Sequence, residues 1–387
     1  MRIDHTHYNK ERGSLLNVLL AFSSILVAYS ILELALRIVG FEPLAQFMDG
    51  RELIIKPSPI KDRPYILNPN TEGNAWGTYV KVNSHGFRDR EFKVEKEPDV
   101  FRIIALGDSI TFGKSLAVEK TFPKQLEGML NQKGNRVEVL NLGHGGYNTL
   151  QEVATLEHIG IKFKPNLVIL GYCINDLWDI SPSAEYIKKV ETYRSSPIYQ
   201  SRLAQLFRVK LDRIQMALLN TRINTESAFV ENNKPYIVDV SRDQALRSLM
   251  TNLAQLMRAN GIGGFKQYVG MYTSLPYIGR LRYAFERLKE LEREHGFEVI
   301  VVLIPFLLET PETKDAYHAV YKIVEHELSR LDFRSIPVYA KFEPVGFKNL
   351  LMNEKDGIHP NALGHRLIAT RLTEELAIPS FAGSDRS

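Results

Sequence analysis

The stretch "FRIIALGDSITFG", Phe101 to Gly113, decides how this chain is read. Four consecutive apolar residues, Ile103 to Leu106, stop abruptly at Gly107-Asp108-Ser109. A short apolar run closed by glycine reads as a strand buried on both faces. Ser109 can be the cap of a following helix. A hydroxyl at the end of a buried strand can equally be a nucleophile. The choice depends on what the rest of the chain brings to the same end of the sheet.

Outward from this stretch the pattern alternates. Segments 100–106, 137–142, 166–172, 298–305 and 335–340 read as strands, the last the weakest. Segments 123–132 and 149–160 read as intervening helices, with Phe122, Leu126 and Leu130 on one stripe of the first. Continuous apolar strands suit a parallel sheet covered on both faces, and strands alternating with helices indicate βαβ units. The expected fold class is α/β: a doubly wound five-stranded parallel sheet in three α/β/α layers, flavodoxin-like. Between about 177 and 273 the alternation lapses. Apolar residues near helical spacing in 201–219 and 244–261 predict a largely helical insertion there.

Composition sets the outer bounds. The chain has 387 residues, 44% hydrophobic and 24% charged, with a formal net charge of +4. That charge is too small to imply nucleic acid as a partner. Cys173 is the single cysteine, so no internal disulfide forms, and the Cys-x-x-Cys of a zinc cluster is absent. Neither a metal nor a cofactor is expected.

The N-terminal region differs from the rest. Leu15 to Leu32 carries no charge over 18 residues, and Glu33 ends the run. Spanning the hydrocarbon core takes roughly 20 apolar residues. The apolar pattern continues through "ILELALRIVGF", which favours an uncleaved anchor over a cleaved signal peptide or a buried core helix. Arg2, Lys10 and Arg12 precede the run, so the N-terminus is expected in the cytoplasm and the remainder outside it, with membrane lipid as a partner. This gives an anchor segment over 1–40, a connector over 41–78 containing Pro43, Pro57, Pro59, Pro64 and Pro69, and a catalytic domain over 79–387.

Ligands of open α/β sheets bind beyond the carboxyl ends of the strands. After the first strand comes Gly107-Asp108-Ser109, after the second "NLGHGGYNT" (Asn141 to Thr149), and after the third "CINDLWD" (Cys173 to Asp179). Ahead of the last helix stands "DGIHPNALGH", Asp356 to His365. These are the parts of an acyl-transfer site. A serine hydroxyl needs a base, which His359 can supply near neutral pH. A carboxylate on the far ring nitrogen fixes the tautomer, and Asp356 lies three residues away. The N–H groups of Ser109 and of a glycine after the second strand, with the amide of Asn175, can hold an oxyanion.

These blocks resemble the SGNH, or GDSL-type, hydrolase family. The resemblance covers roughly 83–377 with the long insertion, and leaves 1–75 outside. "GDSIT" implies the nucleophile Ser109, "GGYNT" the oxyanion glycine Gly146 (with Gly143 as its competitor), "IND" the oxyanion residue Asn175, and "DGIHPN" the pair Asp356 and His359. The family's third block usually carries glycine two residues before the asparagine. Here Cys173 occupies that place, which puts the geometry of Asn175 in question. Asp108 and Asp176 read as holding loop backbone, and His144, His365 and Cys173 as structural. No Gly-x-Ser-x-Gly elbow surrounds Ser109.

The resemblance implies a serine esterase acting through an acyl-enzyme on Ser109. Its expected substrate is a small-molecule or polysaccharide ester, with O-acetyl groups of a carbohydrate, or a lipid, as candidates. The alternatives are an O-acyltransferase on an exported polysaccharide and an inert glycan-binding or assembly factor. The insertion adds a basic stretch: Lys188, Lys189, Arg194, Arg202, Arg208, Lys210, Arg213 and Arg222 against Glu191 and Asp212. It reads as a solvated helix face, or as a lid-like amphipathic segment that meets anionic head groups.

Overall fold

Ile103, Ile104, Ala105 and Leu106 are all fully buried, as a strand between two helical layers requires. The structure is a computed structural model and describes residues 5–40, 54–178, 200–207, 211, 230, 233–260, 266–307, 314–353 and 356–378. The chain forms two compact units, one of Met1–Asp49 with Lys188–Ile223, the other of Gly50–Ile187 with Asn224–Ser387.

In the larger unit the strands run β1 (Ile55–Pro57), β2 (Tyr65–Leu67), β3 (Glu72–Ala75), β4 (Thr78–Lys81), β5 (Phe101–Gly107), β6 (Val137–Asn141), β7 (Leu167–Tyr172), β8 (Glu298–Leu303), β9 (Arg334–Pro337), β10 (Leu351–Asn353) and β11 (Asp356–Pro360). A five-stranded sheet has the order β6-β5-β7-β8-β9, with every pairing parallel. The chain leaves β5 to one side for β6 and then crosses back to β7. That reversal opens a crevice at the carboxyl ends of β5 and β7. Helix Phe122–Gln132 packs with Ala362–Glu375, and Thr149–His158 packs with Leu275–His295. These helices and the sheet make the three-layer α/β/α architecture.

Local chemistry ends the elements. Strand β8 stops ahead of Pro305 and β9 at Pro337, since proline cannot donate to the ladder. The sequence run 335–340 therefore divides: its later part opens the helical turn Tyr339–Phe342. Helix Leu275–His295, which the alternation did not reveal, buries Ile278, Leu281, Phe285, Leu288 and Leu291 at spacings of three and four. Its exposed face is so rich in Glu, Lys and Arg that the apolar stripe is diluted. Buried Arg282 from this helix bonds both oxygens of Glu327 and one of Asp243. It thereby ties three helical segments together with charges that would be costly if unpaired.

The prolines of 41–78 suggested extended chain, but residues 54–81 form two antiparallel hairpins, β1 with β2 and β3 with β4. The second turns through Trp76 and Gly77, both with positive φ (50° and 76°), the geometry that matches the twist of a tight hairpin. Pro57 sits at a strand end, where its missing N–H does no harm. Ile55, Tyr65, Leu67, Trp76 and Val80 bury themselves with Phe112 and Tyr147 in a second apolar cluster. Pro43 lies outside the described residues.

The expected insertion is also divided. Helix Gln244–Asn260 packs on Lys314–Ser329, and Lys266–Met271 against the turn Ile174–Leu177, within the larger unit. Residues 200–207 group with the N-terminal helix His5–Ile38 instead. There Glu33 accepts hydrogen bonds from the Ser201 hydroxyl (2.9 Å) and the N–H groups of Arg202 (3.0 Å) and Leu203 (2.9 Å). Most of the basic stretch 188–222 lies outside the described residues.

Candidate active site

The nucleophile position follows from how β5 ends. A Cβ on Gly107 would collide with the Thr111 side chain and lie 3.0 Å from the Gly171 carbonyl, so only glycine lets the chain turn here. Asp108 caps the turn Ser109–Phe112 by accepting from the Ile110 N–H at 2.8 Å. Ser109 thus begins this helical turn at the mouth of the crevice.

The hydroxyl of Ser109 lies 2.7 Å from Nε2 of His359. Nδ1 of His359 lies 2.7 and 2.8 Å from the two oxygens of Asp356. A carboxylate can only accept, so the ring proton belongs on Nδ1, and Nε2 is left as the acceptor for the serine proton. Strand β11 makes this possible by carrying Asp356 and His359 on one short extended segment, where the His359 N–H also bonds Asp356 (3.2 Å). Burial opposes charge on Asp356. The bonds from His359 and the Lys114 ammonium at 3.5 Å outweigh it and hold the carboxyl well below the usual range.

Candidate donors for an oxyanion lie just beyond the carboxyl ends of β5, β6 and β7. The N–H groups of Ser109 and Gly146 donate to no protein acceptor among the described residues. Gly146 has φ 79° and is partly exposed. Gly143, its rival, donates its N–H to the Asn141 side chain at 3.0 Å and is pressed against the Thr111–Phe112 backbone. Gly143 therefore serves close packing and Gly146 keeps a free donor. The Asn175 amide donates one hydrogen to Asp108 at 2.8 Å, which orients Nδ2 and leaves the second hydrogen available. Cys173 is fully buried beside it and bonds through its N–H to Asp176 at 2.8 Å.

Two features of the site had no counterpart in the sequence reading: the Lys114–Asp356 pair, and Asp108 as the residue that aims Asn175. The adjacency of Lys114 to the "GDSITFG" block was the available signal for the first. Asp108 and Asp176 hold loop backbone, as expected. His144 and His365 are buried, and burial lowers each to about 3, aided by Arg63 beside His144 and by His359 near His365. His365 accepts from the Phe122 N–H (3.0 Å). Below the crevice, Glu152 and Asp176 are almost wholly buried near Asp108. Burial pushes both carboxyls well above their ordinary values, helped by repulsion from Asp176 and Asp108 at Glu152 and from Asp108 at Asp176. Neither oxygen of Glu152 has a protein partner among the described residues.

Asp243, His326 and Glu327 lie close enough together to suggest a metal. Arg282 already occupies both carboxylates, and His326 bonds Asp243 at 3.0 Å, so the group is a closed ion network.

A base-activated serine at the switch point of a parallel sheet defines a serine hydrolase of the SGNH type. The sequence model of the GDSL-like Lipase/Acylhydrolase family matches residues 105–367, and the chain belongs to that family. It is accordingly an esterase acting through serine. No curated protein matches the chain. Among solved structures, the acetyl xylan esterase AlAXEase is 13% identical, with 71% of this chain and 100% of that one covered and a TM-score of 0.37. Axe2, an acetylxylan esterase from Geobacillus stearothermophilus, is 13% identical over 72% of this chain and 95% of its own, with a TM-score of 0.40. TesA is 14% identical over 71% and 98%, with a TM-score of 0.38.

Proposed function

We propose that the protein is a membrane-anchored esterase whose nucleophile is Ser109, base His359 and orienting carboxylate Asp356. The observation that carries this reading is the unbroken line of short hydrogen bonds from Ser109 through His359 to Asp356. Ser109 Oγ attacks the ester carbonyl while Nε2 of His359 takes its proton. The resulting oxyanion is held by the N–H groups of Ser109 and Gly146 and the free amide hydrogen of Asn175, each such donor contributing about 2.7–4 kcal/mol. Collapse expels the alcohol, which receives the proton from His359, and leaves an acyl-enzyme. Water, deprotonated by the same imidazole, then releases the acid and restores the serine.

Anchoring is supported by helix Leu16–Ile38, which is long and apolar enough to cross a bilayer and whose apolar side chains are exposed. With the catalytic unit outside the cytoplasm, we infer an exported or surface O-acetylated carbohydrate as the substrate, with a lipid ester next in order. The test is turnover of p-nitrophenyl esters of increasing chain length beside labelling by a fluorophosphonate. Acetate should be the best acyl group and Ser109 the labelled residue. A preference for long chains would reject the carbohydrate ester, and labelling at another serine would reject the site.

A further inference from the structure

Glu33 marks the end of the uncharged run in the N-terminal helix. Its carboxylate is fully engaged. It accepts from Arg37 one turn on (2.8 Å) and from the first two N–H groups of the short helix 202–207. Ser201 completes the capping by accepting from the Ala204 N–H at 3.1 Å. Arg37 also reaches the Gln200 carbonyl (2.8 Å), Arg202 the Leu36 carbonyl (3.0 Å), and Tyr29 bonds Ser201. Residues 200–203 are thus fastened to the N-terminal helix at the point where its apolar surface gives way to charge.

From that joint, Leu203 and Phe207 lie one turn apart on helix 202–207, and Leu211 follows at the same spacing in the sequence. Leu203 is buried, whereas Phe207 and Leu211 are 63% and 54% exposed. Together with the exposed apolar side chains of the N-terminal helix they extend a contiguous apolar surface, the kind that marks a membrane or partner contact. In sequence they are interleaved with Arg202, Arg208, Lys210 and Arg213 against a single acid, Asp212. Apolar anchors among cations, starting level with the end of an apolar span, match the interfacial layer of a bilayer with anionic head groups.

We propose that residues 200–207, with Leu211, rest in the anionic headgroup layer of the membrane, held there by Glu33 of the anchor helix. The inference depends on the anchor reading above and adds to it a second point of contact with lipid. Basic residues near an anionic surface are attracted to it, and salt screens that attraction.

The test uses the full chain in vesicles of phosphatidylcholine with increasing phosphatidylglycerol. Phe207→Cys is labelled with an environment-sensitive fluorophore; Cys173 is buried and stays unlabelled in the native protein. Flotation reports the anchor, and quenching by shallow spin-labelled lipids reports residue 207. Protein that floats should show quenching at 207 that rises with phosphatidylglycerol, falls with salt, and drops at least twofold on Glu33→Ala with flotation unchanged. Floating protein without quenching at low salt overturns the proposal, as does quenching indifferent to Glu33→Ala. Protein that fails to float removes the anchor reading itself, a result flotation alone distinguishes.

Discussion

Replacing Glu152 by methionine should stabilise the protein, and should do so increasingly as pH rises. Glu152 sits on helix Thr149–His158 directly after the glycine-rich turn, almost wholly buried, with both oxygens lacking a protein partner among the described residues. Leaving such a group unpaired costs about 1–3 kcal/mol, while the change to a side chain of similar size costs under about 1.5 kcal/mol in packing. The pH sign follows from the raised carboxyl, shifted first by burial and then by Asp176 and Asp108. Below the ordinary value of 4.5 the group is protonated in both folded and unfolded chains and contributes nothing. Above it the unfolded chain releases the proton and the folded chain keeps it. Stability therefore falls by about 1.4 kcal/mol per pH unit until the folded value is reached. Methionine removes that slope. Thermal unfolding of wild type and Glu152→Met, followed by circular dichroism from pH 5 to 8, should give nearly coincident midpoints at the acid end. At the alkaline end a gain of about 2 kcal/mol corresponds to about 2–3 °C for a chain of this length. A variant that loses stability at pH 8 would refute the reasoning, because it would mean that a positive partner compensates the carboxylate.

The remaining expectations concern the reaction and its supports. Ser109→Ala and His359→Ala should each abolish nearly all turnover of a p-nitrophenyl ester, and the double variant should be scarcely slower than either, since the two act as one unit; additive losses would separate their roles. Asp356→Asn should fold normally and lose about 10³–10⁴ in kcat, because an amide can turn the wrong face to Nδ1; a loss under tenfold would assign the orientation of His359 to other groups. Lys114→Met should leave KM alone, lower kcat about 2–5-fold, as a half-exposed pair allows, and displace the acid limb of the pH–rate profile; an unmoved limb would make the Lys114 contact with Asp356 incidental. Gly143→Ala should cost about 1–3 kcal/mol in a denaturant titration through its press on the Thr111–Phe112 backbone, and unchanged stability would show that this turn can yield.

Most of the scaffold was legible because its signals are local. The continuous apolar runs within β5, β7 and β8 declare a sheet covered on both faces, and the four blocks "GDSIT", "GGYNT", "IND" and "DGIHPN" fall at strand ends or just before the final helix. The hairpins of 54–81 were not legible, because Pro57, Pro59, Pro64 and Pro69 mask strands only three or four residues long. Their apolar residues find partners at Phe112 and Tyr147, far along the chain. Helix Leu275–His295 escaped notice for the reverse reason, its polar face outnumbering a regular buried stripe. In the site, the types of residue were readable. What sets Gly143 apart from Gly146 is the Asn141 side chain, whose bond to Gly143 no spacing rule reveals. Likewise, the substitution of Cys173 for glycine raised a doubt about Asn175 that only the bond to Asp108 addresses.

The hydrogen bond between Ser109 and His359 joins positions 250 residues apart. During synthesis at roughly 5–20 residues per second, the serine leaves the ribosome about 10–50 seconds before its imidazole exists. For that interval the hydroxyl is an ordinary alcohol, with neither a base to draw off its proton nor a carboxylate to steer one. Helix His5–Ile38 precedes both groups in the chain, so it is made while the site is still chemically silent. Reactivity can switch on only after β11, which carries both Asp356 and His359, has been made.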